Sequence, residues 1–270
     1  MKGLACGALV ILLWGGIALA GSLETSLGAG LAGVSLGDVN ASIGAVNRIL
    51  ENWNTTPTLT GGVPELGLMQ SGMSYSGGER FWISDSLAVG GKIESFRTSS
   101  ATQGSYTAGG TTSQGGTTSQ ISIALDCHSV SFVLGGHLEF ASLGVHLGGD
   151  VGVGYYYSGF STDVTFQTPS NVPPISIHPQ EGKGRYSASS FGLEGGLSLT
   201  FHLTEWLGIG TSIAYHWVGP AAMTDAAGKP LDILVGDDRA DKVDLSGIVV
   251  QLSVSLVIDL SSQEEERRIP

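Results

Sequence analysis

The sequence predicts an all-β fold: an eight-stranded antiparallel up-and-down transmembrane β-barrel with a short helix in its first long loop. Three observations carry this. Apolar and small or polar residues alternate with a period of two over stretches near the ~9–11 residues that cross a bilayer at a tilt, longer than the ~5–6 usual in soluble sheets. The connections between these stretches alternate long and short, roughly 18–25 residues against roughly 3–9, as external loops and periplasmic turns do in such barrels. The composition agrees: 42 glycines, only 13% charged residues and a positive mean hydropathy leave little polar surface for a soluble domain of 270 residues.

The alternation is clearest between Tyr186 and Trp217. Phe191, Leu193, Leu197, Leu199 and Phe201 oppose Gly192, Glu194, Gly196, Ser198, Thr200 and His202. After Thr204-Glu205-Trp206, Leu207, Ile209, Ile213, Tyr215 and Trp217 oppose Gly208, Gly210, Ser212, Ala214 and His216. This reads as a hairpin with a bulky face that must meet either a second sheet or lipid.

In chain order, residues 1–20 combine Lys2, an apolar run too short to span and Ala18-Leu19-Ala20, the pattern of a secretory signal peptide, so the barrel is expected over 21–262 with a charged tail at 263–270. The first strand reaches about Leu36. Asp38 or Asn40 is then placed to cap a helix with Ile43, Val46, Leu50 and Trp53 on one face, stopped by Thr55-Thr56-Pro57. A second strand is expected at about Pro64–Ser76 after a Gly61-Gly62 turn, and a short turn from Gly77-Gly78 through Ser84 leads to a third at about Ser86–Ser99.

The direct repeat GGTTSQ at 109–114 and 115–120 reads as a flexible loop. The fourth strand places Ile121, Ile123, Leu125 and Cys127 outward, and the change of phase to Val130, Phe132 and Leu134 suggests a β-bulge near His128-Ser129. A turn around Phe140 precedes a fifth strand from Leu143 to Tyr155, and proline-rich 161–185 is a long loop. Strands six and seven form the hairpin above, 219–242 is a further loop, and strand eight spans about Val243–Leu260.

With bulky side chains facing lipid, the polar residues line the lumen. The expected network comprises Lys92, Glu94, Asp126, His128, His146, Asp150, Glu194, His202 and His216, and the tight turn at 204–206 sets Glu194 opposite His216. Buried charges must be paired, so this reads as ion pairs and hydrogen bonds, with no catalytic residue, metal ligand or cofactor assigned. His128-Ser129 and His146 with Asp150 lack a nucleophile elbow or matched spacing. Asp237, Asp238, Asp241 and Asp244 lack the Gly-containing spacing of a calcium loop. Eight strands enclose an interior that side chains roughly fill, which allows at most a narrow pore.

The aromatics form two expected belts, Tyr75, Trp82, Phe140, Phe201 and Trp206 near short turns and Tyr155, Tyr157, Tyr186, Tyr215 and Trp217 near long loops, as interfacial rings do. A net charge of −12 excludes nucleic acid as a partner. The even set of strands, the signal segment and the final strand at 249–260 resemble the small eight-stranded outer-membrane barrels of the OmpA/OmpX/OmpW-like group. That resemblance implies a monomer in outer-membrane lipid, placed there by the barrel-insertion machinery after secretion across the inner membrane of a Gram-negative type cell. It also implies a structural or surface-interaction role through the external loops. The chain departs from the pattern in closing on Leu260 where such barrels commonly carry an aromatic residue, and in its first-loop helix. An outer-membrane hydrolase and a lipocalin-like carrier of a small apolar ligand are the alternatives.

Overall fold

The structure, a computed structural model, describes residues 21–109, 117–142, 145–169, 172, 178–235 and 240–260. The signal segment, most of the GGTTSQ repeat, Asp237, Asp238 and the charged tail lie outside these residues.

Eight antiparallel strands close into a ring: β1 (Ser22–Val34), β2 (Ser71–Ser84), β3 (Leu87–Ala108), β4 (Thr118–Ser142), β5 (Val145–Phe166), β6 (Gly182–His202), β7 (Leu207–Val218) and β8 (Gly247–Asp259). Each pairs with its sequence neighbour, and β8 pairs with β1 from Gly247↔Val34 to Asp259↔Ser22 to complete the barrel. The lower ring thus has no free edge, while β3 beyond Arg97 and β6 before Gly192 extend past the ends of β2 and β7.

The strands differ in height. Four of them, β3 to β6, hold 21 to 25 residues, whereas β1, β2, β7 and β8 hold 12 to 14. The barrel therefore rises on one side as a tall half-wall. Helix α1 (Gly37–Asn54) lies against the inner face of that wall. Its Val39, Ile43, Val46, Leu50 and Trp53 join one apolar core with Tyr106 of β3, Ile121, Ile123, Leu125 and Cys127 of β4, Phe160, Val164 and Phe166 of β5, and Met223 and Leu231 of the loop before β8. Trp53 stacks on Phe166 with ring centres 5.2 Å apart and meets the edge of Tyr106 at 5.7 Å.

An asparagine ladder fastens the helix. Asn40, Asn47 and Asn54, seven residues apart and so on one stripe, each accept from and donate to the backbone of one residue in the segment that follows the helix. Asn47 Oδ1 accepts the Leu66 N–H at 2.7 Å and its Nδ2 donates to the Leu66 carbonyl at 2.9 Å. Asn40 makes the same pair with Met69, and Asn54 with Val63. Val63, Leu66 and Met69 are also the buried residues of that segment, so it contacts the helix with the period of three of an extended, polyproline-II-like chain.

Several strand boundaries and facings differ from expectation. The segment 63–70 is not a strand, β2 begins at Ser71, and Gly77-Gly78 lies inside it, not in a turn. Gly78 is needed there because a Cβ would stand 3.0 Å from Lys92 Cβ on the paired strand. Gly61-Gly62 belongs to a short strand, Leu59–Gly62, on the upper end of β3. β4 runs through Phe140, β5 continues to Phe166, and β6 begins at Gly182, which shortens the fourth and fifth connections.

No bulge interrupts β4: its register against β3 and β5 is unbroken, and odd-numbered residues face inward from Ile121 to His137. Cys127 is thus buried inside the barrel, not outward. Neither Asp38 nor Asn40 caps the helix. The chain enters through Leu36 in the left-handed region at φ 44°, held by its N–H to the Asp244 carbonyl.

The reason for the changed facing is an inversion of polarity along the tall strands. In the lower part of the wall the large apolar side chains point out and are exposed, including Val151 at 70%, Leu252 at 70% and Phe191 at 78%. Above Val130 of β4 and Tyr157 of β5 the outward positions become His128, Asp126, Gly159, Ser161 and Asp163, and the apolar residues point in toward the helix. The alternation never slips; the surroundings of each face exchange.

Candidate functional site

The lumen of the lower barrel holds the polar residues in two layers. The upper layer is formed by neighbouring inward positions on β3, β6 and β7. Lys92 Nζ lies 2.7 Å from Glu194 Oε1 and 3.2 Å from Glu94 Oε2, and His216 Nε2 lies 3.1 Å from Glu194 Oε2 and 4.0 Å from Glu94 Oε2. Glu194 and His216 are direct cross-strand partners, as the tight 204–206 turn requires. Glu94, Glu194 and His216 are buried.

The lower layer centres on Asp150 of β5. Arg80 of β2 donates to Asp150 Oδ1 at 2.9 Å, and His137 of β4 reaches the same oxygen through Nδ1 at 2.9 Å. Glu139 takes His146 Nδ1 at 2.5 Å and lies 3.6 Å from His137 Nε2, while the His146 and His202 rings are 4.4 Å apart. Glu24 accepts from Trp82 Nε1 at 3.2 Å and lies 3.9 Å from Arg80. Each acid therefore has a basic or donor partner, the condition for keeping charge inside a low-dielectric barrel.

Of the expected luminal residues, the fold brings together Lys92, Glu94, Glu194 and His216 in one layer and His146, Asp150 and His202 in the other. Asp126 and His128 are corrections. Both occupy even positions of β4 and face outward above the apolar wall, where Asp126 binds Arg97 at 2.8 Å and His128 stands half-exposed 4.0 Å from it. Ser129 points to the opposite side of the strand and is buried, so His128 and Ser129 do not form a Ser/His pair.

Two aromatic assignments also change. Trp82 turns into the lumen toward Glu24, with its ring 5.5 Å from His137, and Tyr186 is buried in the helix core. Tyr75, Phe140, Phe201, Trp206, Tyr155, Tyr157, Tyr215 and Trp217 are exposed on the outer face as expected.

Arg80, His137 and Glu139 escaped the sequence reading because their stretches were assigned to turns. The usable signal was parity: Arg80 shares the face of Ser74 and Ser76, and His137 that of Ser129 and Ser131.

Among the described residues, side chains fill much of the interior. One cavity of about 80 Å³ separates the two layers, bounded by Lys92 and Glu194 above and Arg80, His137 and Asp150 below. A second, of about 20 Å³, lies over the upper layer beside Tyr156 and His216 and under Leu245 and Val249. Above it the helix core closes the mouth.

In the outer half, Tyr106 donates to Asn54 Oδ1 at 2.7 Å, and burial pushes its phenol above the ordinary range. Ser42 donates to Asp241 Oδ1 at 2.7 Å, and the Ile233 N–H donates to Asp241 Oδ2 at 2.7 Å. Asp244 accepts the Ser246 N–H. Asp241 thus ties the helix to the loop before β8, and the Asp244 carbonyl holds the entrance of the helix through Leu36.

No protein-family description and no curated protein matches the chain. Solved structures similar to it include the outer membrane protein OprG from Pseudomonas aeruginosa, at 12% identity over 88% of this chain and 96% of that one with a TM-score of 0.42. The outer membrane protease OmpT from Escherichia coli is similar at 9% identity over 88% and 97% with a TM-score of 0.44. Neisserial surface protein A is similar at 11% identity over 89% and 97% with a TM-score of 0.37. The eight-stranded barrel itself rests on the strand register of this chain.

Proposed function

We propose that the protein is an integral outer-membrane barrel without enzymatic activity, acting as a closed structural element whose tall outer half-wall and plugging helix present a surface to the cell exterior. The observation that carries this reading is the exposed apolar belt. Along β5 it runs from Leu147 to Tyr157. Ten residue steps of ~3.3 Å at a tilt of ~40° give roughly 25 Å, the height of the apolar band of such barrels. A soluble protein has no means of covering so continuous a ring of Leu, Val, Ile and Phe.

The direction of insertion follows from the turns. The β6–β7 connection is tight, with Leu203 N–H donating to the Leu207 carbonyl at 2.9 Å, whereas the opposite rim carries the helix and the long loops. Short turns face the periplasm in barrels of this type.

The polar layers and the plug support a lumen that passes no solutes, and His128, the most accessible histidine of the expected network, is paired across the sheet with Arg97 and Gly159 and lies 4.0 Å from Asp126. Reconstitution into lipid vesicles tests the assignment. The full chain is expected to enter the bilayer, to migrate as a compact folded species on an unheated gel, and to lose to external protease only segments of the helical end. A chain that stays folded and monomeric in plain buffer without detergent would refute it.

A further inference from the structure

We propose that Glu94, Glu194 and His216 form a buried site for one divalent transition-metal ion, Zn²⁺ by its donor chemistry, with Lys92 as the internal cation that the metal displaces. Their ligand atoms lie within 4.8 Å of one another, and all three residues are at least nine-tenths buried. Glu94 Oε2, Glu194 Oε2 and His216 Nε2 meet only Lys92 and one another, at 3.1 to 4.0 Å and without aligned hydrogen bonds, so three ligand atoms share one point inside the barrel. Zinc bonds of about 2.0–2.1 Å set tetrahedral ligand edges at roughly 3.3–3.4 Å. The Nε2 to Glu194 and Nε2 to Glu94 separations of 3.1 and 4.0 Å bracket that value.

Two carboxylates and one imidazole make a mixed oxygen and nitrogen set with a free fourth position. Calcium takes six to eight oxygens and magnesium a near-ideal octahedron with several waters, and neither fits three protein ligands in so closed a place. The cavity of about 20 Å³ shared by Glu94, His216 and Tyr156 is the size of a single water, and the Tyr156 hydroxyl is itself buried without a partner. A metal-bound water there satisfies it.

Lys92 has somewhere to go. It lines the cavity of about 80 Å³ that also contains Asp150, so its flexible stem can swing down from the glutamates toward a carboxylate in the lower layer. The exchange makes the upper site neutral, since the ion balances Glu94 and Glu194, and the released ammonium joins a lower layer in which Asp150, Glu139 and Glu24 outnumber Arg80.

The test uses the full chain folded in detergent and Zn²⁺ alone as probe, followed by calorimetry and metal analysis. Wild type is expected to bind one ion per chain, His216→Asn and Glu194→Gln to bind at least about tenfold more weakly, and Lys92→Met, which keeps all three ligands and removes the competing ammonium, to bind more tightly than wild type. Co²⁺ added to wild type is expected to give the visible bands of a low-coordinate site, abolished by Zn²⁺; this arm does not depend on any variant folding. Absence of stoichiometric binding in both wild type and Lys92→Met, unchanged binding in His216→Asn, or a Co²⁺ spectrum of purely octahedral type would each overturn the proposal.

Discussion

At the scale of single residues, the account turns on what lies beyond each side chain. Val151 and Thr165 occupy the same face of β5, both pointing out, but Val151 lies within the apolar belt and Thr165 above it. Val151→Arg is expected to destabilise the bilayer-inserted protein by about 2–4 kcal/mol, whereas Thr165→Arg shifts it by no more than about 0.5 kcal/mol. Denaturant titration in lipid vesicles measures both, and equal effects would remove the belt from the account. Tyr106 gives a check on the plug. Because burial raises its phenol, its contribution is complete below about pH 10, the ordinary value, and is lost as pH climbs through the raised native value. Tyr156 and Tyr186 are buried as well, so ultraviolet titration is expected to show a late-ionising group of tyrosines, and Tyr106→Phe to reduce its amplitude by one residue.

At the scale of elements, the eight strands and their order could be read from the period of two, and so could the facing of Glu194 and His216 across a tight turn. The phase of β4 could not. Assigning large side chains to the outside along its whole length forces a slip at His128-Ser129, because the sequence does not say where the outer apolar belt ends. With polar residues on the outside of the outer half-wall and a helix on its inside, Ile121 to Cys127 belong within and the strand is regular. The same blindness hid His137 and Arg80, since glycines that admit a neighbouring side chain look like turn residues. The asparagine ladder was likewise missed, because a period of seven in the helix has meaning only beside a period of three in the segment it grips. Asn47→Ala removes both bonds to Leu66 and leaves two backbone groups in a buried seam without partners. It is expected to cost about 1–3 kcal/mol and to increase hydrogen exchange at residues 63–70 more than in the β1–β8 seam.

At the scale of the whole molecule, two environments meet on one barrel: a lower half, apolar outside and charged within, and an upper half, apolar within and polar outside. Three closures lie in series along the axis, the lower ion-pair layer, the upper one and the helix core. Replacing residues 37–54 by a flexible linker is therefore expected to leave planar bilayers without ion current, as for wild type, because both polar layers remain; steady conductance in the linker variant would assign the closure to the helix alone. The central claim is that the exposed ring of large side chains faces hydrocarbon. Spin labels placed singly at Val151→Cys and Leu252→Cys, in a Cys6→Ser, Cys127→Ser background reconstituted in vesicles, measure it most directly. Relaxation by oxygen and protection from a water-soluble nickel relaxant at both sites is the expected result, and strong relaxation by the nickel reagent, or labels frozen and shielded from both, would contradict it.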